Sequence, residues 1–489
     1  MIVKDAVHIS ALFEKYAASL QDVAVTSIEY DSRKAIKGCC FVAVKGLAVD
    51  GHDFIDDAAK KGAALIVAER APKPPQDGVA VVIVENTRME LARLSDAFYG
   101  HPSRELGVIG VTGTNGKTTV AYMLQKILNT AGYNTSRFGT VDYNFPDATL
   151  SAPNTTPESA DLHKLFAKAT RYENPRAVIE VSSHGLWLGR LERTRFKGVV
   201  LTNVTQDHLD FHPTMDEYIG VKKMLFTDFD YEYAVINRDD PVGENLLGQK
   251  LGGAVLSYGF SEKSDVRITE YLTCFNGGQA LLKTPIGDVE MRINIPGGFN
   301  IQNAAASVAA GIAEGLDADV IRQGLSDLES VPGRFEKVDR GQDFAVIVDY
   351  AHTDNALLNV LKAAGEMTKN RLICLFGCGG DRDKGKRKLM GKAADSVADL
   401  IVITSDNPRN EDPQSIIEDI LEGIPQKSGH KVKVLPMRGE AIKYAVGMAQ
   451  SGDTVVIAGK GHEDYQVIGS ERIHFDDREM AAKALEEMR

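Results

Sequence analysis

The chain is poor in cysteine. Five residues in 489, Cys39, Cys40, Cys274, Cys374 and Cys378, form an odd set with neither CxxC nor Cys/His metal spacing. That excludes a disulfide-stapled module and an ordinary zinc site, and it fits a reducing compartment. Long apolar runs are also missing, since no window approaches the roughly 18 uncharged apolar residues of a membrane span. The first twenty residues carry Asp5 and Glu14 where a signal peptide needs an apolar stretch, while Ile9, Leu12, Phe13, Tyr16 and Leu20 recur at helical spacing. An amphipathic helix is expected there, in a cytoplasmic chain with no membrane partner. A basic excess is absent too: 56 Lys and Arg stand against 68 Asp and Glu, a net charge of −12. A general nucleic-acid binder needs a basic face, so any phosphate must be held locally. Short repeats and low-complexity segments are lacking as well.

What is present is ordinary globular material, 43% hydrophobic and 25% charged, enough for about three domains at roughly 150 residues each. Apolar runs that read as buried parallel strands alternate with helical patterns: FVAVK, ALIVAE, VAVVIVE, LGVIGV, RAVIEV, GVVLTN, YAVIN, FAVIVDY, RLICLF, LIVITS and TVVIAG. That βαβ rhythm predicts an α/β protein. Breaker clusters at Tyr99–Ser103 and Ser330–Arg334 divide it into units 1–99, 100–331 and 332–489. Between about 252 and 296 a period-two pattern with glycine-rich turns predicts a small antiparallel sheet within the otherwise mostly parallel middle unit.

The strand ELGVIGV leads into TGTNGKTT and then a helical pattern. A glycine loop between a strand and a helix amino terminus aims backbone N–H groups and the helix dipole at phosphate oxygens. Gly113, Thr114, Asn115, Gly116, Lys117, Thr118 and Thr119 would cradle a nucleotide, with Lys117 on the terminal phosphates and the Thr118 hydroxyl on Mg²⁺. Val111 occupies the first glycine position of the strict GxxxxGK[ST] pattern. Glu180 ends an apolar run, where a carboxylate would face the phosphate crevice. His208 follows the strand GVVLTN, and spacing alone leaves its role open. Lys222 and Lys223 read, from spacing alone, as a solvated helix face.

GVTGTNGKTT, EVSSHGL, TNVTQDHLDFH, the lysine of YIGVK, GGFNIQN, PGRFE, VDYAHT, GCGGDRDKGKR, DNPRNEDP and AGKGHEDYQ together resemble the Mur ligases of bacterial peptidoglycan synthesis. The resemblance runs from Asp31-Ser32-Arg33 to beyond Glu463. It implies a UDP-binding α/β domain, a central P-loop ATPase domain and a Rossmann-like carboxyl-terminal domain that binds an amino acid. It implies Lys117, Glu180, His208 and Lys222 as catalytic residues, with Lys222 carbamylated and joining Thr118, Glu180 and His208 around magnesium. Lys223 stays on the surface. Asn300, Asn303, Arg334 and Asp349 match nucleotide contacts. Ser32, Leu47, Ala48, Val49, Asn154, Thr155, Thr156, Ser182 and Arg190 match positions along a UDP-muramoyl peptide. Two departures are visible: Asp354 replaces a proline after DYAHT, which puts the local hinge geometry in question, and Leu188 replaces a polar residue two before Arg190.

In the last unit three strands run into GCGGDRDKGKR, DNPRNEDP and KGHEDYQ, and ligands of open α/β sheets bind at strand carboxyl ends. Arg382, Asp406, Asn407, Pro408, Arg409, Gly459 and Glu463 should therefore share one rim, with guanidinium groups for carboxylates and Glu463 for an ammonium. Arg409, in DNPR, marks the family members that use meso-diaminopimelate, since an arginine can hold the extra carboxylate that L-lysine lacks. The implied reaction is ATP-dependent, Mg²⁺-assisted amide formation. An acyl phosphate would carry the UDP-N-acetylmuramoyl dipeptide to the diamine, in a monomeric protein of cell-wall synthesis. Its rivals are an L-lysine-adding ligase of the same family and, remotely, a P-loop nucleotide switch.

Overall fold

In the computed structural model, residues 7–8, 23–47, 49–73 and 78–488 are described. The amino-terminal helix expected from Ile9 to Leu20, and Ala48, lie outside them.

The alternating apolar runs form three sheets. Strands Ser27–Glu29, Cys39–Val42, Leu65–Ala68 and Ala80–Ile83 pair in sequence order, all parallel. Consecutive residues of a strand face opposite sides, so Cys40, Val42, Leu65 and Val67 enter one core while Cys39, Phe41 and Ile66 enter the other. These cysteines are therefore core residues, buried and unbridged.

The middle sheet has eleven strands. Its parallel centre runs Asn134–Phe138, Pro175–Val181, Gly107–Thr112, Gly198–Leu201, Tyr233–Asn237 and Ala254–Gly259. Alternation again sorts the side chains. Ile109, Val111, Val178 and Val200 pack under helices Lys117–Thr130 and Gly298–Ala313, whereas Val108, Ile179, Val199 and Leu201 pack under Ser159–Ala169 and Met215–Thr227. Gly110 has no room for a side chain: a Cβ there would lie 2.8 Å from the Phe196 ring.

The antiparallel pairing expected at 252–296 is present and continuous with this sheet, through strands Val266–Cys274, Gly277–Thr284 and Gly287–Ile293. One part of that expectation shifts, because AVLSYGF belongs to the parallel centre. A second antiparallel element, Asp142–Phe145 with Ala148–Ser151, caps the other edge. Its polar sequence gave no strand pattern.

The last sheet orders its strands Glu336–Lys337, Ala345–Asp349, Thr454–Ala458, Leu372–Phe376, Leu400–Ile403 and Val432–Val434, parallel except the first. Thr454–Ala458, last of the parallel strands in sequence, sits between the first two. This order reverses the direction of winding, and the loops that leave the carboxyl ends part to form a crevice. Helix Asp354–Met367 starts normally although Asp354 replaces a proline: Thr353 caps it through the Ala356 N–H at 3.2 Å, and an acidic first turn suits the helix dipole. Among the described residues no helix is long and apolar enough to cross a membrane.

Candidate active site between the middle and carboxyl-terminal sheets

A cleft of about 360 Å³ lies where the carboxyl ends of the middle and last sheets meet. Thr114–Thr119, Thr140, Thr155, Glu180, Ser182 and His208 line one side, and Arg334, Asp349, Tyr350 and His352 the other. The loop leaves strand Gly107–Thr112 and enters helix Lys117–Thr130 through Gly116 at φ 89°, with no side chain capping the helix. The first N–H groups of that helix are thus free to meet an anion. Lys117 curls back so that its Nζ donates to the Gly113 and Thr114 carbonyls, each at 2.9 Å. Burial holds its pKa below the usual lysine value.

Glu180 ends the neighbouring strand, fully buried. Its carboxylate accepts from the Thr118 hydroxyl at 3.0 Å, the Thr140 N–H at 2.9 Å and the Thr140 hydroxyl at 2.9 Å. Arg334 Nη2 donates to Thr118 Oγ1 at 3.0 Å, its guanidinium lies over the Tyr350 ring, and its Nε is buried without a hydrogen-bond partner. Lys222 is buried rather than solvated, and its Nζ donates to the Gly113 carbonyl at 2.8 Å. Desolvation and the neighbouring Lys117 hold its pKa well below the ordinary value. Lys223 reaches outward to Asn245.

His208 sits at φ 54°, a rare conformation for a histidine, 4.9 Å from the His184 ring. Desolvation holds its pKa below the ordinary histidine value against the pull of Asp207. Among the described residues no group of three His, Cys, Asp or Glu side chains could hold a metal by itself. The Thr118–Glu180 pair does suit an ion such as Mg²⁺, which uses one or two carboxylates and takes its remaining oxygens from phosphate and water.

Of the other nucleotide positions, Asn303 lines the cleft, while Asn300 sits behind it, accepting from Asn303 Nδ2 at 3.0 Å and donating to the Pro296 carbonyl at 2.7 Å. Asp349 is buried and accepts from the Phe335 and Ala351 N–H groups. These bonds fix the linker at Gly333, φ 64°, and Phe335, φ 49°.

The muramoyl-peptide positions form a second group beside this cleft. Ser182 Oγ meets Thr156 Oγ1 at 3.0 Å, Arg190 Nη1 donates to the Thr156 carbonyl at 3.0 Å, and Thr155 meets Thr140 at 3.1 Å. Asn154 is exposed next to them. Glu158 joins Arg190 to Arg88 of the first unit, at 3.3 and 3.2 Å, linking the first two units. Leu47 and Val49 are exposed, Ser32 is buried, and Leu188 is core.

The amino-acid positions do gather on one rim. Gly379 lies between the two arginines: a Cβ there would be 2.9 Å from Arg409 Nη1 and 3.8 Å from Arg382 Cγ. Arg409, at φ 52°, donates to the Gly380 carbonyl at 2.8 Å, and Arg382 is exposed. Asn407 Nδ2 donates to Glu463 Oε2 at 3.0 Å. Gly459, at φ 114°, brings the backbone against Asp406, and Pro408 is buried in the same loop. This rim is separate from the cleft but close to it, because the ring of His462, next to Glu463, packs 5.0 Å from that of Tyr350, which lines the cleft.

Several residues of the site were not singled out by sequence reasoning. Lys460 and His462 lay within a motif already noted. Asp207, Asn203 and His352 sat beside marked residues, and Thr140 follows a strand without an apolar pattern.

A glycine loop at a helix terminus, a hydroxyl and carboxylate beside it, and a basic and acidic rim on a separate sheet define a nucleotide-dependent enzyme that brings its reactants together between modules. The chain belongs to the Mur ligase family, whose members are ATP-dependent amide-forming ligases: residues 24–99 match the Mur ligase family catalytic domain, 111–311 the middle domain and 333–461 the glutamate ligase domain. A curated relative from Geobacillus kaustophilus (strain HTA426), UDP-N-acetylmuramoyl-L-alanyl-D-glutamate--2,6-diaminopimelate ligase, is 44% identical over 95% of this chain and 95% of its own. A solved structure described by the same enzyme name is 30% identical, with a TM-score of 0.69 and 99% of each chain covered. MurF ligase from Thermotoga maritima in complex with ADP shares the fold at 20% identity, with a TM-score of 0.66 over 95% of this chain and 98% of its own.

Proposed function

We infer that this chain joins meso-2,6-diaminopimelate to UDP-N-acetylmuramoyl-L-alanyl-D-glutamate at the expense of ATP, in the cytoplasmic synthesis of peptidoglycan precursors. The observation that carries the reading is the pair Arg382 and Arg409 beside Gly379, on a rim whose His462 packs against Tyr350 of the phosphate-loop cleft. Two guanidinium groups call for a guest with two carboxylates, and meso-diaminopimelate has one more than lysine.

The units divide the work as 1–99 for the UDP end, 100–331 for ATP and 332–489 for the amino acid. Asn154, Thr155, Thr156, Ser182 and Arg190 would lead the dipeptide towards the cleft. A free carboxylate of the D-glutamyl residue attacks the γ-phosphorus of ATP. The new O–P bond forms as the bond to the leaving ADP oxygen breaks. Lys117 and the helix amino terminus stabilise the charge on the transferred phosphoryl group. The uncharged amine of the amino acid then attacks the acyl carbon, the C–O bond to phosphate breaks, and a proton leaves the nitrogen. Arg409, Arg382 and Glu463 hold the guest so that this amine faces the activated carbon.

Magnesium, when bound, neutralises phosphate charge. Thr118, Glu180, His208 and a carbamate on Lys222 would hold it. Burial disfavours the ammonium form of Lys222, and the uncharged amine is the form that reacts with carbon dioxide. Asn303, Arg334 and Asp349 would contact the nucleotide, with Asn300 supporting Asn303. A monomer without nucleic-acid or membrane partners suffices for this chemistry.

The experiment is incubation with ATP, Mg²⁺, the UDP-muramoyl dipeptide and a panel of diamino acids, with product masses measured. The tripeptide containing diaminopimelate should dominate. Faster incorporation of L-lysine would replace this reading by that of a lysine-adding ligase, and vigorous ATP hydrolysis without the other substrates would favour a nucleotide switch.

A further inference from the structure

Glu463 has two unlike oxygens. Oε2 accepts from Lys460 Nζ at 3.0 Å and from Asn407 Nδ2 at 3.0 Å, whereas among the described residues no hydrogen bond engages Oε1. Lys460 has no exposed side-chain surface, and its Nζ also approaches Asn407 Oδ1 at 3.4 Å and the Tyr465 ring at 5.3 Å. Nothing in the phosphate cleft involves it. A wholly buried ammonium is unfavourable unless it is paired, so its place here needs a reason.

Charge balance supplies one. Asp406 and Glu463 are both buried or nearly so, and both act on the same space. Arg438, behind them, is matched by Asp477 at 2.6 Å, with neither side chain exposed. Tyr350 and Tyr465, the phenols that face Glu463, are held neutral by burial. Lys460 therefore cancels one of two negative charges and leaves one, while Arg409 and Arg382 bring two positive charges to the rim. A diamino diacid whose reacting amine is neutral carries two carboxylates and one ammonium, the complement of that set.

We propose that Lys460 is a positioning residue: by holding Oε2 it turns Oε1 of Glu463 towards the unreactive ammonium of the amino-acid substrate and leaves the pocket one negative charge to match it. This rests on the reading of the rim as the diaminopimelate pocket. Without Lys460, two facing carboxylates share a dry site, one takes up a proton, and Glu463 loses its orientation.

The test compares meso-diaminopimelate with 2-aminoheptanedioate, the diacid that lacks the second amine, in wild type, Lys460→Met, Glu463→Gln and the double variant. Lys460→Met should raise KM for meso-diaminopimelate at least tenfold while kcat stays within about threefold, and it should erase most of the wild-type preference over the mono-amine. In the Glu463→Gln background, Lys460→Met should change that preference less than twofold, since its effect passes through Glu463. If Lys460→Met does not fold, Lys460→Gln, which keeps a donor and removes only the charge, should lose a smaller part of the preference, again only when Glu463 is intact, and an unchanged preference in it overturns the inference too. A folded variant with unchanged preference, or losses that simply add in the double variant, overturns the inference. A wild-type enzyme that ignores meso-diaminopimelate overturns the substrate reading instead.

Discussion

Replacing Arg409 by alanine tests the proposed recognition of a distal carboxylate by its guanidinium. The residue sits at φ 52°, but alanine and arginine both carry a Cβ, so the backbone strain is the same before and after. The local backbone bonds also survive: Arg409 N–H donates to the Val467 carbonyl at 3.1 Å, and the Arg409 carbonyl accepts from Gly469 at 2.8 Å. What disappears is the guanidinium, which is half-buried and spends Nη1 on the Gly380 and Asn407 carbonyls at 2.8 and 3.5 Å, leaving Nη2 and Nε for a ligand. A hydrogen bond to a charged group contributes about 1.5–3 kcal/mol, which converts to roughly 10- to 150-fold in kcat/KM. The assay is initial-rate formation of the tripeptide with meso-diaminopimelate and with L-lysine. The first should lose that factor and the second little, because lysine has no distal carboxylate to leave unpaired. Unchanged kcat/KM for meso-diaminopimelate, or equal losses for both amino acids, would refute the assignment.

Two further outcomes concern stability. Arg438 and Asp477 form a pair with no exposed surface, and Arg438 also donates to the Ser405 and Ala458 carbonyls under the rim. Arg438→Met strands a buried carboxylate and should cost about 3–5 kcal/mol, lowering the thermal midpoint by roughly 10 °C; a shift below about 2 °C in calorimetry would contradict it. His163 is buried, donates to the Glu192 carbonyl, and desolvation lowers its pKa to about 4. Between pH 6.5 and 4 the unfolded chain therefore binds the extra proton, and stability present above pH 6.5 is lost as pH falls. One such group removes about 2 kcal/mol by pH 5. In denaturant titrations His163→Gln should show a shallower loss between pH 7 and 5, with slopes equal to wild type telling against this account.

Much of the α/β plan was legible because buried parallel strands need continuous apolar runs, and all eleven such runs are strands. Strands 142–145 and 148–151 were not: both are short, the first buries only Tyr143 and Phe145, and the second is the sheet edge, where exposed polar residues are tolerated. The phosphate loop was legible for a similar reason: its glycines, lysine and threonine are contiguous, and local geometry alone makes an anion site. Lys222 shows the opposite case. Its helix spacing suited a solvated face, and only the packing of that helix against the loop buries the amine against Gly113.

Residue order thus determined which segments become strands and that a glycine loop joins strand Gly107–Thr112 to helix Lys117–Thr130, because these depend on neighbours within one or two turns of chain. Tertiary structure alone decided that Thr140 braces Glu180, that His462 ties the amino-acid rim to the cleft, and that Lys460 lies buried between Asn407 and Glu463. Those contacts join residues tens to hundreds of positions apart, or depend on a loop's path at a strand end. Their energies come from burial and charge balance, which no local pattern encodes.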